Sequence, residues 1–254
     1  MAGQEALGVT PGANVDHAAQ LQRLKAGSGR SLLVDILGIV SIVAILIALY
    51  GALVWAPTER EMGDVQRIFY FHMPAAWVAL GPAFTVVFIT SILYLVKKDL
   101  KFDRVAAASA EIGVMFTTMV LITGPLWAKP IWGAYWTWDP RLTTTLVLWF
   151  IYIAYLMLRS ASASGHKRAR LCAVFGIVGW IDVPIVFMSI RWWRTIHPTV
   201  ITANSMNLDP RMAAVLMFSL GAFTLLYVYL LIVRVRQEDF LFRLERLRHL
   251  VLSR

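Results

Sequence analysis

The feature that most constrains this chain is a series of long apolar segments. The first segment runs from Leu32 to Trp55 and contains 24 residues. An α-helix of that length measures roughly 36 Å, whereas the hydrocarbon core of a bilayer is about 30 Å thick. Five further apolar segments follow, at about 75–96, 105–127, 144–159, 171–190 and 212–233. We therefore expect an all-α integral membrane protein with six transmembrane helices.

The composition supports a membrane location for these segments. Apolar residues make up 59% of the chain and charged residues 15%, whereas soluble domains contain about 45–50% and about 25%. The first segment is too long for the apolar part of a cleavable signal peptide, so we expect it to be retained. A single cysteine, Cys172, excludes an internal disulfide and a cysteine-based metal site. We expect it to be a small buried residue on a membrane helix.

The positive charges predict the orientation of the chain. Of the 24 Lys and Arg residues, 17 lie in the N-terminal arm, the C-terminal tail and two of the loops between helices. Because cytoplasmic loops are enriched in these residues, both termini should be cytoplasmic. The net charge of +9 thus indicates topology and attraction to membrane lipid, and not nucleic-acid binding. The outer face should then carry three loops, at 56–74, 128–143 and 191–211.

Short connections between the apolar segments indicate one membrane domain at 32–233. A polar cytoplasmic arm, 1–31, should precede it, and a basic tail, 234–254, should follow it. In the tail, leucines and a phenylalanine alternate with arginines, which predicts an amphipathic helix. Such a helix would lie on the inner leaflet or dock a cytoplasmic protein.

The segment 127–143, between the third and fourth apolar runs, is rich in tryptophan. Four of the ten tryptophans fall in its first twelve residues, at Trp127, Trp132, Trp136 and Trp138. Tryptophan is enriched at membrane interfaces, but interfacial anchoring does not require the backbone irregularity that Pro130 and Gly133 impose. In an extended segment the last three indoles would share one side, and in a helix Trp132 and Trp136 would stack one turn apart. Either arrangement predicts an aromatic surface for a flat ligand.

Two of the five histidines, His72 and His197, should lie on the same outer face, each just before or at a helix boundary. The simpler interpretation is that each is an interfacial polar residue. Neutral imidazoles suit iron, copper and zinc, but the lack of clustered carboxylates or thiols argues against a closed zinc site. A planar iron-containing ligand with two axial positions would use both histidines and the indoles. We therefore expect haem, with His72 and His197 as axial ligands of the iron.

Basic residues of the outer loops could bind the two haem propionates, because a guanidinium group matches a carboxylate with two hydrogen bonds. Arg141 is favoured because it adjoins the tryptophan-rich segment. The other candidates could equally contact lipid headgroups or solvent: Arg60, Arg67, Lys129, Arg191, Arg194 and Arg211.

Asp139 precedes Pro140 in a pattern that is typical of a helix start, where the aspartate caps free backbone N–H groups. Asp209-Pro210 repeats this pattern without the tryptophans. We therefore expect Asp139 to act mainly as a cap and to affect haem binding indirectly. Two further acids, Glu111 and Asp182, lie inside apolar segments, where ionisable residues usually mark a partner or a pathway. Their partners do not follow from the sequence.

These residues together give a sequence that resembles the CcmC family, the small members of the tryptophan-rich haem-handling proteins of cytochrome c maturation. The resemblance rests on Trp132-Gly-x-x-Trp136-x-Trp138-Asp139-x-Arg141-Leu-Thr143, on His72 and His197 in the flanking loops, and on the six apolar segments. It extends from Leu32 to about Val233. The arm and the tail lie outside it.

The resemblance implies a protein of the bacterial inner membrane whose site faces the periplasm and holds haem b as a transported ligand. The implied binding residues are His72, His197, Trp127, Trp132, Trp136, Trp138, Asp139 and Arg141. The implied recipient is the haem chaperone CcmE, and the implied complex contains the ATPase CcmA, the permease CcmB and the small protein CcmD. The chain has no G-x-x-x-x-G-K-[ST] phosphate-binding loop, so ATP hydrolysis would belong to a partner and the chain is not expected to be an enzyme.

Two other classes of protein compete with haem delivery. A haem-ligating oxidoreductase subunit for electron transfer would usually place its histidines within helices, whereas both histidines here are predicted at loop boundaries. A plain transporter subunit would use the tryptophans only as membrane anchors. In that case, replacing Trp132, Trp136 and Trp138 with Phe would leave haem binding unchanged.

Overall fold

The computed structural model describes residues 31–162, 165–197 and 208–252, with side chains up to residue 244. Within these ranges the chain contains no β-strand. Six helices are each long and apolar enough to cross a membrane, which confirms the predicted six-helix membrane fold. We number them α1 to α6: Leu32–Trp55, Asp64–Lys97, Leu100–Trp132, Pro140–Ala161, His166–Trp192 and Pro210–Leu252. The predicted cytoplasmic arm, 1–31, lies almost entirely outside the described residues.

The core of the bundle depends on small residues in α3. The first half of α3 contains a run of buried alanines that ends near Gly113. A Cβ atom at Gly113 would lie 2.5 Å from Cε1 of Phe84 in α2, so only glycine allows this approach of the two helices. The Phe84 ring in turn stacks on Tyr152 of α4, with 3.8 Å between ring centroids. Small side chains thus bring α2, α3 and α4 close together, as is common between membrane helices.

Helix α5 is interrupted at Ile181, which separates the α-helical parts His166–Trp180 and Asp182–Trp192. Pro184 explains the break, because proline has no N–H to donate to the carbonyl of Trp180, four residues earlier. The Asp182 side chain lies at this break, and its Oδ2 atom is buried without a hydrogen-bond partner among the described residues.

Charged residues join α3, α4 and α6 at the end of the bundle where α3 begins. Arg159 of α4 donates to buried Asp103 of α3 at 2.8 Å. Arg234 of α6 donates to Glu111 of α3 at 2.9 Å and pairs with Glu238 of its own helix at 2.8 Å. Arg234 is thus the partner of Glu111 that the sequence did not reveal. Because an unpaired charge near the membrane interior is costly, these pairs stabilise this arrangement of the three helices.

Helix α6 continues without a break through the predicted tail, as far as Leu252. Its first half packs on α1 and on the start of α2, where Phe69 and Tyr70 are fully buried against Leu216. These contacts position the outer part of α2, which carries His72.

Candidate functional site

A cavity of about 1090 Å³, including its open mouth, lies at the end of the bundle where α3 ends and α4 begins. Its walls come from the outer halves of α2 and α3, the start of α4 and the segment that follows α5. Apolar side chains such as Leu80, Val120 and Leu121 dominate the lining. Ligand pockets are usually mostly apolar with a few polar groups, so the lining of this cavity suits a predominantly apolar ligand.

Six of the eight residues predicted for the site line this cavity, and two do not. The six are His72, Trp127, Trp132, Trp136, Arg141 and His197. Trp138 does not line the cavity and is 70% exposed. Asp139 is buried and does not line the cavity.

His72 lies inside a helix, so the prediction that it sits just before or at a helix boundary was wrong. A 3-10 turn at Asp64–Ile68 leads directly into the α-helical part Phe69–Val78. The helix begins this early because Phe69 and Tyr70 are buried against α6. This tertiary packing outweighs the preference of proline for the first turn of a helix, which would start the helix near Pro74. The His72 side chain is only 8% exposed, and its Nδ1 atom lies 2.9 Å from Oγ1 of Thr123 in α3.

His197 lies in a loop, as expected, in the segment that follows α5. It is half-buried and its backbone N–H donates to Oγ1 of Thr195 at 3.0 Å. Each histidine is accompanied by one tryptophan of α3. The ring centroids of His72 and Trp127 are 5.8 Å apart, and those of His197 and Trp132 are 6.4 Å apart, both in edge-on geometry.

The tryptophan-rich segment is helical for most of its length, which shortens the predicted loop to residues 133–139. Trp127 and Trp132 belong to α3, which Gly133 ends in the left-handed conformation, with φ 74°. Trp138 also has a positive φ, 55°, which is unusual for a residue with a side chain. This second change of direction turns Trp138 perpendicular to Trp136, with an angle of 86° between their rings. Neither predicted arrangement, a shared side of an extended segment or a helical stack, occurs.

Asp139 has two structural roles, one predicted and one missed. Its Oδ1 atom accepts from the backbone N–H of Arg141 at 2.9 Å, which confirms the helix cap. Asp209 makes the equivalent bond to Arg211 at the start of α6. In addition, Oδ2 of Asp139 accepts from Oγ1 of Thr195 at 2.6 Å and from the N–H of Ile196 at 3.0 Å. Asp139 therefore ties the loop of His197 to the start of α4.

The polar groups of the cavity favour an anionic partner. Arg141 contributes a guanidinium group to the wall. The Nε1 atoms of Trp127 and Trp136 are buried and have no hydrogen-bond partner within the described part of the chain. A buried donor without an acceptor costs about 1–3 kcal/mol, so these two indoles carry unsatisfied hydrogen-bonding groups.

Two other basic residues that were candidates for carboxylate binding are engaged elsewhere. Arg67 donates to the carbonyl of Ala52 at 2.6 Å and pairs with Asp64 at 3.0 Å. Lys129 donates to the carbonyl of Gly133 at 2.8 Å. Neither residue lines the cavity, so Arg141 is the favoured carboxylate partner within the described residues.

Comparison with known proteins decides the family. Residues 17–249 match the family model described as Heme exporter protein C. The chain belongs to the Heme exporter protein C family. It is 35% identical over 216 residues to the Heme exporter protein C of Bradyrhizobium diazoefficiens, a match that covers 84% of this chain and 81% of that protein. It is also 33% identical over 200 residues to the protein of that name from Escherichia coli K12, with 79% and 81% covered.

Three residues that support the site of this Heme exporter protein C family member were missed in the sequence. Thr123 and Gly124 contact His72, and Thr195 links Asp139 to His197. Thr123 and Gly124 were missed because both residue types are common in membrane helices and neither lies near a histidine in the sequence. Thr195 does lie near one. The spacing Thr195-x-His197 was the one available signal, since a hydroxyl two residues before a backbone N–H often accepts from it.

Proposed function

We propose that this protein binds haem at the periplasmic face of the bacterial inner membrane and delivers it to the haem chaperone CcmE for the biogenesis of c-type cytochromes. It would act in a complex with the ATPase CcmA, the permease CcmB and the small protein CcmD. The observation that carries the proposal is one cavity that combines imidazoles from two separate segments with three indoles and a guanidinium group. Membership of the Heme exporter protein C family supports the same function.

The groups of the cavity fit haem b as a transported ligand. Its apolar walls suit the macrocycle, and neutral imidazoles are common axial ligands of haem iron. His72 and His197 would hold the iron. Arg141 suits the propionates. With both axial positions filled by histidine, the iron would be held and not activated towards oxygen, so the chain itself would not be an enzyme.

The distribution of charge supports a periplasmic site. The loops at the cavity end of the bundle contain 7 of the 24 Lys and Arg residues, and the segments predicted to be cytoplasmic contain the other 17. Cytoplasmic segments carry the excess of positive charge in membrane proteins. The cavity would therefore open towards the periplasm, where its haem could meet a membrane-anchored chaperone.

An electron-transfer subunit is the second candidate, and the position of His72 favours it more than expected. A histidine within a helix is usual for such subunits, and His72 is within α2. The loop position of His197 favours delivery instead, because a ligand on a loop can move away as the haem leaves. A plain anchoring role remains an alternative only for Trp138, since Trp127, Trp132 and Trp136 line the cavity.

The test uses the full-length chain purified in its complex. We expect a Soret absorption band of six-coordinate, low-spin haem, and we expect the double variant His72→Ala/His197→Ala to lose it. Covalent loading of CcmE, measured by haem staining of the chaperone, should be lost in parallel. An unchanged spectrum in the double variant would refute the ligand assignment. Quinol-dependent turnover by a protein that retains its haem without loading CcmE would instead establish the electron-transfer function.

A further inference from the structure

We infer that Thr123 is a positioning residue that sets the tautomer and the orientation of His72, so that the Nε2 atom of His72 is the one available to haem iron. This inference rests on the proposed function, in which His72 is an axial ligand. It concerns a residue that does not line the cavity itself and that acts only through the imidazole.

The direction of the hydrogen bond follows from the donors that are present. Oγ1 of Thr123 lies 2.7 Å from the carbonyl of Met119, one turn earlier in α3, and 2.9 Å from Nδ1 of His72. A threonine hydroxyl has one proton, and a carbonyl oxygen can only accept. The proton of Thr123 therefore goes to Met119, and Thr123 accepts from His72. Nδ1 consequently carries the proton of the neutral ring, and Nε2 keeps its lone pair.

The neighbouring residue fixes the edge of the ring that faces α3. A Cβ atom built at Gly124 would lie 3.3 Å from Cε1 and 3.9 Å from Nδ1 of His72. The absence of a side chain at Gly124 thus leaves room for this edge of the imidazole. Thr123 and Gly124 together hold the Nδ1–Cε1 edge of the ring against α3. His72 lines the cavity, and Nε2 has no hydrogen-bond partner within the described residues.

A hydroxyl is a chemically distinctive partner for an axial histidine. Metal-binding histidines commonly donate their other N–H to a carboxylate, a carbonyl or water, which orients the ring and increases its basicity. The neutral Thr123 hydroxyl also orients the ring. It is a weaker hydrogen-bond acceptor than a carboxylate, so it increases the basicity of the imidazole less. The arrangement therefore provides a well-placed ligand of moderate strength. Such a ligand suits a protein that must hold haem and then release it.

The first measurement is the tautomer of His72 in the haem-free, full-length protein in nanodiscs, labelled with ¹⁵N-histidine. Long-range ¹⁵N–¹H correlation spectra distinguish the two neutral tautomers, and the His72 signal is assigned by its loss in His72→Ala. We expect the Nδ1–H form. The Nε2–H form in the wild-type protein would overturn the inference, whether or not any variant folds.

The second measurement compares the haem affinity of three threonine variants by titration of the Soret band. Thr123→Val removes the hydroxyl with little change of shape and should weaken haem binding by roughly 10- to 100-fold, the usual effect of removing a group that orients a metal ligand. Thr123→Ser keeps the hydroxyl and should bind like the wild type. Thr118→Val is the matched control, because Thr118 also donates to a carbonyl of α3 and accepts from a ring N–H, that of Trp149. It should keep wild-type affinity.

The His72→Ala variant separates the failure of this inference from that of the proposed function. If His72→Ala binds haem as the wild type does, His72 is not a ligand and the function proposed for it fails. If His72→Ala loses haem while Thr123→Val keeps both wild-type affinity and the Nδ1–H tautomer, only the role of Thr123 is refuted. Equal losses in Thr123→Val and Thr118→Val would also refute it, since they would indicate a general effect on α3.

Discussion

His72 and His197 line the same cavity, but they are held in different ways. His72 is almost fully buried in α2, and its ring is fixed by Thr123 and Gly124. His197 is half-buried in a loop, and its backbone N–H donates to Oγ1 of Thr195, which itself donates to Asp139. The first histidine is part of the packed bundle, whereas the second depends on a short chain of hydrogen bonds.

This difference indicates a division of roles between the two proposed ligands. Packed helices open only at a high free-energy cost, whereas loops with few buried contacts open locally at a low cost. His72 would therefore hold the haem throughout, and His197 would be the ligand that leaves first during transfer. The bonds that Asp139 makes to Thr195 and Ile196 would set how easily this happens.

The largest expected effect distinguishes the two histidines directly. His72→Ala should abolish stable haem binding, because it removes the ligand that is already ordered before haem arrives. His197→Ala should retain haem in a five-coordinate, high-spin form, visible by electron paramagnetic resonance and by a shifted Soret band. If the two single variants lost haem equally, the distinction between a fixed and a releasable ligand would be wrong.

Asp139→Ala should have the next largest effect, with Asp209→Ala as its matched control. Both variants lose a helix cap, which costs about 1 kcal/mol of stability and should lower the thermal unfolding midpoint of each. Only Asp139→Ala also releases the His197 loop. We therefore expect haem binding to weaken about tenfold in Asp139→Ala, the lower end of the range for groups that orient ligands.

The affinities would be measured by Soret titration of both variants under the same conditions. Wild-type affinity in Asp139→Ala, with the expected loss of stability, would show that the cap is the whole role of this aspartate.

Thr195→Val should have a smaller effect, because Asp139 still accepts from the backbone N–H of Ile196. The variant loses the hydroxyl that joins Asp139 to the N–H of His197. We expect haem to dissociate severalfold faster, measured by transfer to excess apomyoglobin, with little change in the equilibrium spectrum. Thr195→Ser, which keeps the hydroxyl, should release haem at the wild-type rate; an accelerated rate there would contradict the mechanism.

The smallest effect is expected at Trp138. Its side chain is 70% exposed and does not line the cavity, so Trp138→Phe should leave the Soret band and the haem affinity unchanged. Trp132→Phe is the informative counterpart, because Trp132 contacts His197 and lines the cavity. It should alter the spectrum. Equal effects of the two variants on the Soret band would refute the idea that a tryptophan of this segment affects haem binding through its contact with a histidine.

The amino-acid sequence was sufficient to predict the six helices and the capping role of Asp139, and six of the eight residues proposed for the site line one cavity. Hydrophobic segments long enough to span a bilayer have few alternatives to the helix, since every backbone polar group must be bonded within the segment. Capping is likewise a local property, because the aspartate and the N–H groups it accepts from are neighbours in the chain.

Only the tertiary structure decided how the site is supported. Thr123 meets His72 from a position 51 residues away, and Asp139 meets Thr195 from a distance of 56 residues. Helix α2 begins before His72 because of burial against α6, and Trp138, with its left-handed backbone, does not line the cavity. Local residue preferences determine which segments become helices, whereas hydrogen bonds and close contacts between helices depend on how those helices pack, which no short stretch of sequence specifies.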